Sequence, residues 1–341
     1  MHYFIAKNKD WVGPLEQEIL ETLKCSKEKL TRISGVPVIQ LDDKISLKDT
    51  HIAFSTAALI NTSKLTEESI SKQAKEASEL IAKAPLENEA INLDVFSLTN
   101  KYGVLETGRA EIIKEKIIKE LRKKNIFVPR KKKANRSVVQ IMILPSREVV
   151  LSITIEKDLP QYKSLLSPFV GGFNNVEDNK KAPSRAFKKI VEAQLILERP
   201  ILKDETLIDL GACPGGWTYI ARQAGAKVIA LDRSELREDL MNDSMVEFVQ
   251  ADAFKYKTER PLDWAISDII CTPQRILELI DTWVVSEHCS QFVFTIKFQG
   301  SDGYDVLTEF KEKIPTLPYH VILKQLNANK NEVTIMGIKK A

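Results

Sequence analysis

The sequence predicts an α/β protein in which a doubly wound, Rossmann-like sheet over residues 166–341 follows smaller α+β modules over 1–65 and 66–165. Three observations predict this. From Thr206 onward, short apolar runs alternate with amphipathic stretches, the pattern of parallel strands joined by crossover helices. The first of these runs, TLI, leads into DLGACPGGWTY at residues 209–219, a glycine-rich turn that opens a helix. Ahead of Ser184, strands and helices come in short mixed groups broken by Pro, Gly and Asn.

In order, YFIA opens the chain as a strand and PLEQEILETLKC follows as a helix, with Leu15, Ile19 and Leu23 at helical spacing. VPVIQL and HIAFSTAAL are further short apolar runs, among which His51 reads as structural. Residues 66–86 form a polar helix ended by Pro85, and INLDVFSL is a strand in which Ile91, Leu93 and Val95 alternate with polar neighbours. A helix from about Glu106 to Lys124 is predicted to bury Ile112, Ile113, Ile117, Ile118 and Leu121. VVQIMIL and EVVLSITI make a hairpin around Pro145 and Ser146. Residues 157–183, rich in breakers, form a connection expected to pack against the second half of the chain, and Ser184 is placed to cap the next helix.

TLIDLG, KVIALD, MVEFVQAD, LDWAISD and QFVFTIKF are the successive strands of the C-terminal sheet, closed by a hairpin of YHVILKQL and NEVTIMGI. Ligands of such sheets bind outside the carboxyl ends of the strands, where Asp232, Asp252 and Asp268 fall. Gly211, Gly215 and Gly216 let the backbone turn sharply and approach a ligand. Asp232, about twenty residues on, is spaced to take the hydroxyls of a ribose. A dinucleotide would want G-x-G-x-x-G with its pyrophosphate at the helix N-terminus. Here Pro214 removes a backbone donor and Trp217 fills space near the turn, which suits a nucleoside cofactor without phosphates, S-adenosylmethionine.

A hydrophobic content of 43% and charged content of 28% are those of a soluble globular protein. There is no apolar run of eighteen or more, hence no expected membrane span, and the N-terminus lacks the apolar segment of a secretory leader. The four cysteines are scattered and the four histidines dispersed, which predicts no metal and no disulfide and favours a reducing, cytoplasmic setting. The net charge of +3 hides an asymmetry: residues 101–150 hold fourteen Lys/Arg against five Asp/Glu, an excess of nine, which leaves the remainder net negative by six. Arg130, Lys131, Lys132, Lys133 and Arg136 concentrate that charge in one loop, either a solvated turn or a surface for the phosphates of RNA.

At APSRAFKKIVEA, DLGACPGGWTY, ISDII, FTIKF and KNEVTI the sequence resembles the FtsJ-like family of RNA ribose 2′-O-methyltransferases. The resemblance is strong from residue 167 onward. It is weaker over 70–165, which looks like a THUMP RNA-binding domain, and faint over 1–65, compatible with the ferredoxin-like module that precedes THUMP domains. It implies a Lys-Asp-Lys-Glu tetrad, here Lys189, Asp268, Lys297 and Glu332. It implies S-adenosylmethionine contacts at Cys213, Pro214, Gly215, Gly216, Trp217, Asp232, Asp252 and Asp268. The implied partner is ribosomal RNA, with a cytidine of the 23S molecule as the implied target.

A ribose hydroxyl is a poor nucleophile and needs a base within hydrogen-bond reach, a role that falls to Lys297 or is replaced by orientation of the hydroxyl. Three other functions are weighed. An enzyme acting on exocyclic base nitrogens would carry a Pro-Pro-aromatic motif after the fourth strand, where this chain has Ile-Ile-Cys-Thr-Pro. A cytosine C5 enzyme would need a nucleophilic cysteine, for which Cys271 is the candidate. An RNA-binding assembly factor would keep the fold with a vestigial site.

Overall fold

The structure, a computed structural model, describes residues 1–99, 103–105, 108–300 and 303–340. The chain divides into two compact units, Met1–Phe173 and Asn174–Ala341.

In the first unit the elements are β1 (His2–Ala6), α1 (Val12–Leu23), β2 (Leu30–Arg32), β3 (Val38–Leu41), β4 (Ser55–Leu59), β5 (Ser63–Lys64), α2 (Ile70–Lys83), β6 (Asn92–Thr99), β7 (Gly103–Leu105), α3 (Gly108–Arg122), β8 (Val138–Ile143), β9 (Val149–Thr154) and α4 (Leu159–Tyr162). They build two sheets, ordered β2-β3-β1-β4 and β5-β9-β8-β6-β7. The alternation along β6 and β8 explains how the sheets are filled. Leu93, Val95 and Ile141 pack with Ala77 and Ile81 of α2 and with Ile113 and Ile117 of α3. Phe96, Leu98 and Met142 point the other way and pack with Tyr3, Ile5 and Leu59. The second strand of the unit's hairpin follows the first antiparallel, Val139 opposite Ile153 and Ile143 opposite Val149.

Three local expectations need correction. The buried stripe of α3 is Ala110, Ile113, Ile117 and Leu121, whereas Ile112 is 46% exposed. Ile112 lies a residue off that stripe, while Ile118 packs against the core at its edge, partly buried. The polar helix starts at Ile70, where Ser69 Oγ accepts from Lys72 N, rather than at residue 66. The expected start of α3 at Glu106 lies outside the described residues. The breaker-rich connection belongs to the first unit as far as Phe173. Ala58 N donates to Leu165 O at 2.9 Å, and a Cβ on Gly172 would meet the backbone of Thr56.

The second unit holds α5 (Phe187–Leu197), β10 (Thr206–Leu210), α6 (Gly216–Gln223), β11 (Lys227–Asp232), α7 (Glu238–Met241), β12 (Val246–Gln250), β13 (Leu262–Ser267), α8 (Pro273–Leu279), β14 (Cys289–Lys297), α9 (Val306–Lys313), β15 (Tyr319–Lys324) and β16 (Glu332–Lys339). Its seven strands are ordered β12-β11-β10-β13-β14-β16-β15. Neighbours from β12 to β14 run parallel, and β16 runs antiparallel to both β14 and β15. This is the predicted doubly wound α/β sheet with its closing hairpin, and the order reverses at β10/β13, where a crevice opens. The central strands are buried on both faces, which is why they read as unbroken apolar runs.

Candidate active site

A cleft of about 560 Å³ opens at the carboxyl ends of β10, β11, β13 and β14. It is lined by Gly211, Cys213, Pro214, Gly216, Trp217, Asp232, Asp252, Asp268 and Lys297 from the sequence-derived set. Gly215 stands just before α6, in the left-handed region with φ +102.

The turn after β10 is shaped by its glycines. Gly211 has φ +81, and a Cβ there would meet Ile269 at 2.8 Å. Any side chain would wedge the β10 turn away from the β13 turn, which Ser267 Oγ joins by donating to Leu210 O at 2.7 Å. At Gly216 a Cβ would run into Ser184 Oγ, so α6 and the segment before α5 approach closely. Trp217 is buried and donates from Nε1 to Ala186 O at 2.8 Å, locking that approach. Ser184 therefore does not cap the helix as expected. The helix begins at Phe187 behind Ala186, and Ser184 lines the cleft instead.

The Asp232 carboxylate is oriented by two backbone donors, Cys213 N at 2.9 Å and Ser234 N at 3.0 Å, one to each oxygen. Each oxygen keeps acceptor capacity toward the cleft. Asp252 accepts from Phe254 N at 3.0 Å, and Arg275 lies over the Phe254 ring at 3.5 Å.

The four residues of the implied tetrad meet in one cluster. Lys189 Nζ lies 2.8 Å from Asp268 Oδ1 and 2.6 Å from Glu332 Oε2. Lys297 Nζ donates to Asp268 O at 2.6 Å and stands 3.3 Å from Asp268 Oδ1. The antiparallel register sets Lys297, the last residue of β14, directly opposite Glu332, the first of β16. Lys189 is brought in by α5, which is fixed one turn further on: the Glu192 carboxylate accepts from Asn327 N at 2.8 Å and Ala328 N at 3.0 Å. Asp268 and Lys297 line the cleft, while Lys189 and Glu332 join them through the ion pairs. Burial alone would raise the Glu332 carboxyl. The cations of Lys189 and Lys297, with the Lys330 N–H, outweigh it and hold the group below its ordinary range.

Asp209 was not singled out by sequence, although it opens the glycine motif. It is buried, lines the cleft, and accepts from Thr218 N at 3.0 Å and Thr218 Oγ1 at 2.7 Å. Burial pushes its carboxyl up to about 7, helped by Asp268 and Asp232 and opposed by the two Thr218 bonds. Burial likewise pushes the Cys271 thiol up to about 11, the reverse of what a nucleophilic thiolate requires. Among the described residues no His/Cys/Asp/Glu group could hold a metal, and no helix is long and apolar enough to cross a membrane.

In the first unit, the basic loop is firmly held. Lys132 Nζ pairs with the buried Asp94 carboxylate at 2.6 Å and donates to Pro168 O at 3.2 Å. Asn92 takes the Lys133 N–H and donates to Lys133 O at 2.7 Å. Arg136 donates to Lys131 O, and Arg130, Lys131 and Lys133 are exposed.

A seven-stranded, mostly parallel sheet with a reversed β16 and a cleft at its strand tips defines the Rossmann-like methyltransferase fold. Residues 182–333 match the profile of the FtsJ-like methyltransferase family, a span that contains the whole tetrad. The chain is 32% identical over 183 residues, 50% of either chain, to the "Ribosomal RNA large subunit methyltransferase M" of Azoarcus sp. (strain BH72). It is 30% identical over 230 residues to the protein of the same name from Pseudoalteromonas translucida (strain TAC 125), covering 64% of this chain and 62% of that one. The chain spans about half the length of the curated relatives it matches.

Proposed function

We propose that this chain is an S-adenosylmethionine-dependent methyltransferase that modifies a ribose 2′-hydroxyl of large-subunit ribosomal RNA, with a cytidine of 23S RNA as the target. The observation that carries this is the Lys189–Asp268–Lys297–Glu332 cluster at the edge of a nucleoside-sized cleft. Residues 66–165 are read as its THUMP-like RNA-binding domain, after a ferredoxin-like module over 1–65, and the cytoplasm as its site of action.

The residues present fit the cofactor. Gly211 and Gly216 line the cleft without side chains, and the Asp232 carboxylate, held by the Cys213 and Ser234 N–H groups, is pre-oriented to accept ribose hydroxyls. Asp252 lies further along the same cleft, and Cys213, Pro214 and Trp217 form its wall. When bound, S-adenosylmethionine supplies an electrophilic methyl group.

The tetrad's own task is to activate the hydroxyl. Lys297 Nζ donates to the Asp268 carbonyl at 2.6 Å and stands 3.3 Å from the Asp268 carboxylate, which leaves its remaining position for the 2′-hydroxyl, to take its proton or to orient it. Lys189, itself buried and paired with Asp268 and Glu332 together, balances the two partly buried carboxylates and fixes Asp268 in place.

Ribosomal RNA from a strain lacking this chain tests the proposal. One alkali-resistant internucleotide bond present in the parent's 23S RNA is expected to be missing, and to return when purified protein and S-adenosylmethionine are added. An unchanged pattern of resistant bonds would contradict it. The cytosine C5 alternative predicts that Cys271→Ser is inactive. With the thiol pushed up to about 11, Cys271→Ser is expected to keep methyl transfer within about twofold of the parent.

A further inference from the structure

We propose that Phe127, with Arg130, Lys131 and Lys133, forms a binding site for an unpaired stretch of RNA, in which the phenyl ring stacks on a nucleobase and the three cations take the flanking phosphates. This deepens the proposed function, on which its choice of RNA as ligand rests.

Phe127 is the observation that simple charge does not explain. It is 50% exposed, although Leu121 and Ile126 just before it are buried. Its backbone is held on both sides: Phe127 N donates to Glu89 O at 2.7 Å and Ile91 N donates to Phe127 O at 2.9 Å, a parallel bridge opposite Ala90. The ring is thus presented to solvent from a fixed backbone. An exposed aromatic side chain on a rigid support stacks with any base and costs little ordering entropy on binding.

The basic loop is fixed to the same strand entry. Residues 89–91 hold Phe127, and the next residue, Asn92, holds Lys133 by both its N–H and its carbonyl. Two residues further, buried Asp94 holds Lys132. Lys132 is therefore the pin of the loop, and Arg130, Lys131 and Lys133 are its exposed cations. Exposed Arg122 and Lys124 at the end of α3 add to the positive field, while Glu89, exposed at the bridge, is the acidic exception. Cations and an aromatic ring carried on backbone held by the same strand entry are the elements of a single-strand site: the cations supply affinity for the phosphates and stacking selects bases that are not paired.

Fluorescence anisotropy of the full chain with a labelled oligoribonucleotide, single-stranded or annealed to its complement, tests this. Phe127→Ala is expected to weaken single-strand binding about tenfold, with duplex binding and the salt slope unchanged, and Phe127→Tyr to restore it. The triple change of Arg130, Lys131 and Lys133 to Ala is expected to weaken both forms and flatten the salt slope. Phe127→Ala binding like the parent, or losing duplex and single strand equally with an unchanged melting temperature, would overturn the proposal. S-adenosylmethionine titration of the same variants keeps the two readings apart: loss of cofactor binding in the parent protein defeats the proposed activity, whereas the stacking site fails only through the anisotropy results.

Discussion

Lys297→Ala is expected to lower methyl transfer by about 10³-fold, in the range for loss of a general base, while S-adenosylmethionine still binds. The partition follows from the geometry. Lys297 contacts Asp268 but does not support it alone, because Lys189 remains 2.8 Å from the same carboxylate. The cluster should therefore keep its shape when Lys297 is removed, and the loss should fall on the chemical step. Lys297→Arg separates the two roles left open for this residue. It preserves a cation but cannot surrender its proton at neutral pH, so it should be as inactive as Lys297→Ala if proton acceptance matters. If orientation and charge suffice, it should recover much of the rate. Lys189→Ala should behave differently, because it leaves two partly buried carboxylates without their shared, buried cation. A loss of about 3–5 kcal/mol in stability is expected in addition to lost activity. Single-turnover transfer of labelled methyl, read beside a thermal melt, distinguishes the three variants.

Asp209→Asn is expected to remove the pH dependence that the buried carboxyl imposes on the C-terminal unit. Folding raises this group from 3.8 to about 7, so the folded state holds the proton more tightly than the unfolded chain. Its stabilising contribution is complete below about pH 4 and is lost as pH climbs through 7. At pH 8 the folded protein carries an ionised, buried carboxylate, a penalty on the order of 4 kcal/mol. Asparagine cannot ionise, and its oxygen can still accept from Thr218 N and Oγ1. The variant should therefore gain stability relative to the parent as pH rises from 5 to 8. Urea unfolding followed by tryptophan fluorescence reads this unit well, since Trp217, Trp264 and Trp283 lie in it. A difference between the proteins that does not change with pH would contradict the assignment.

The C-terminal fold was legible because parallel strands buried on both faces must be continuous apolar runs, and VIAL, WAIS and FVFTI are such runs. The glycine turn was legible because Gly211 and Gly215 occupy conformations that few other residues tolerate. The four tetrad residues were recognisable as motifs. Their convergence depends on the β14–β16 register and on Glu192 anchoring α5, neither of which has a sequence period. Asp209 escaped notice because nothing in DLGACPGG tells a buried acid from one at the rim. Periodicity could not choose between Ile112 and Ile113, and a run of four cations could not reveal that Lys132 is committed to Asp94 while a nearby phenylalanine faces solvent.

In the proposed reaction the cleft at the strand tips directs a methyl group to a ribose oxygen. This step is tested most directly by supplying the purified chain with tritium-labelled S-adenosylmethionine and undermethylated ribosomal RNA, then digesting the RNA to nucleosides. Label is predicted to elute with a 2′-O-methylnucleoside and to vanish with Lys297→Ala. Label on a base, or no transfer by the parent protein, would contradict it.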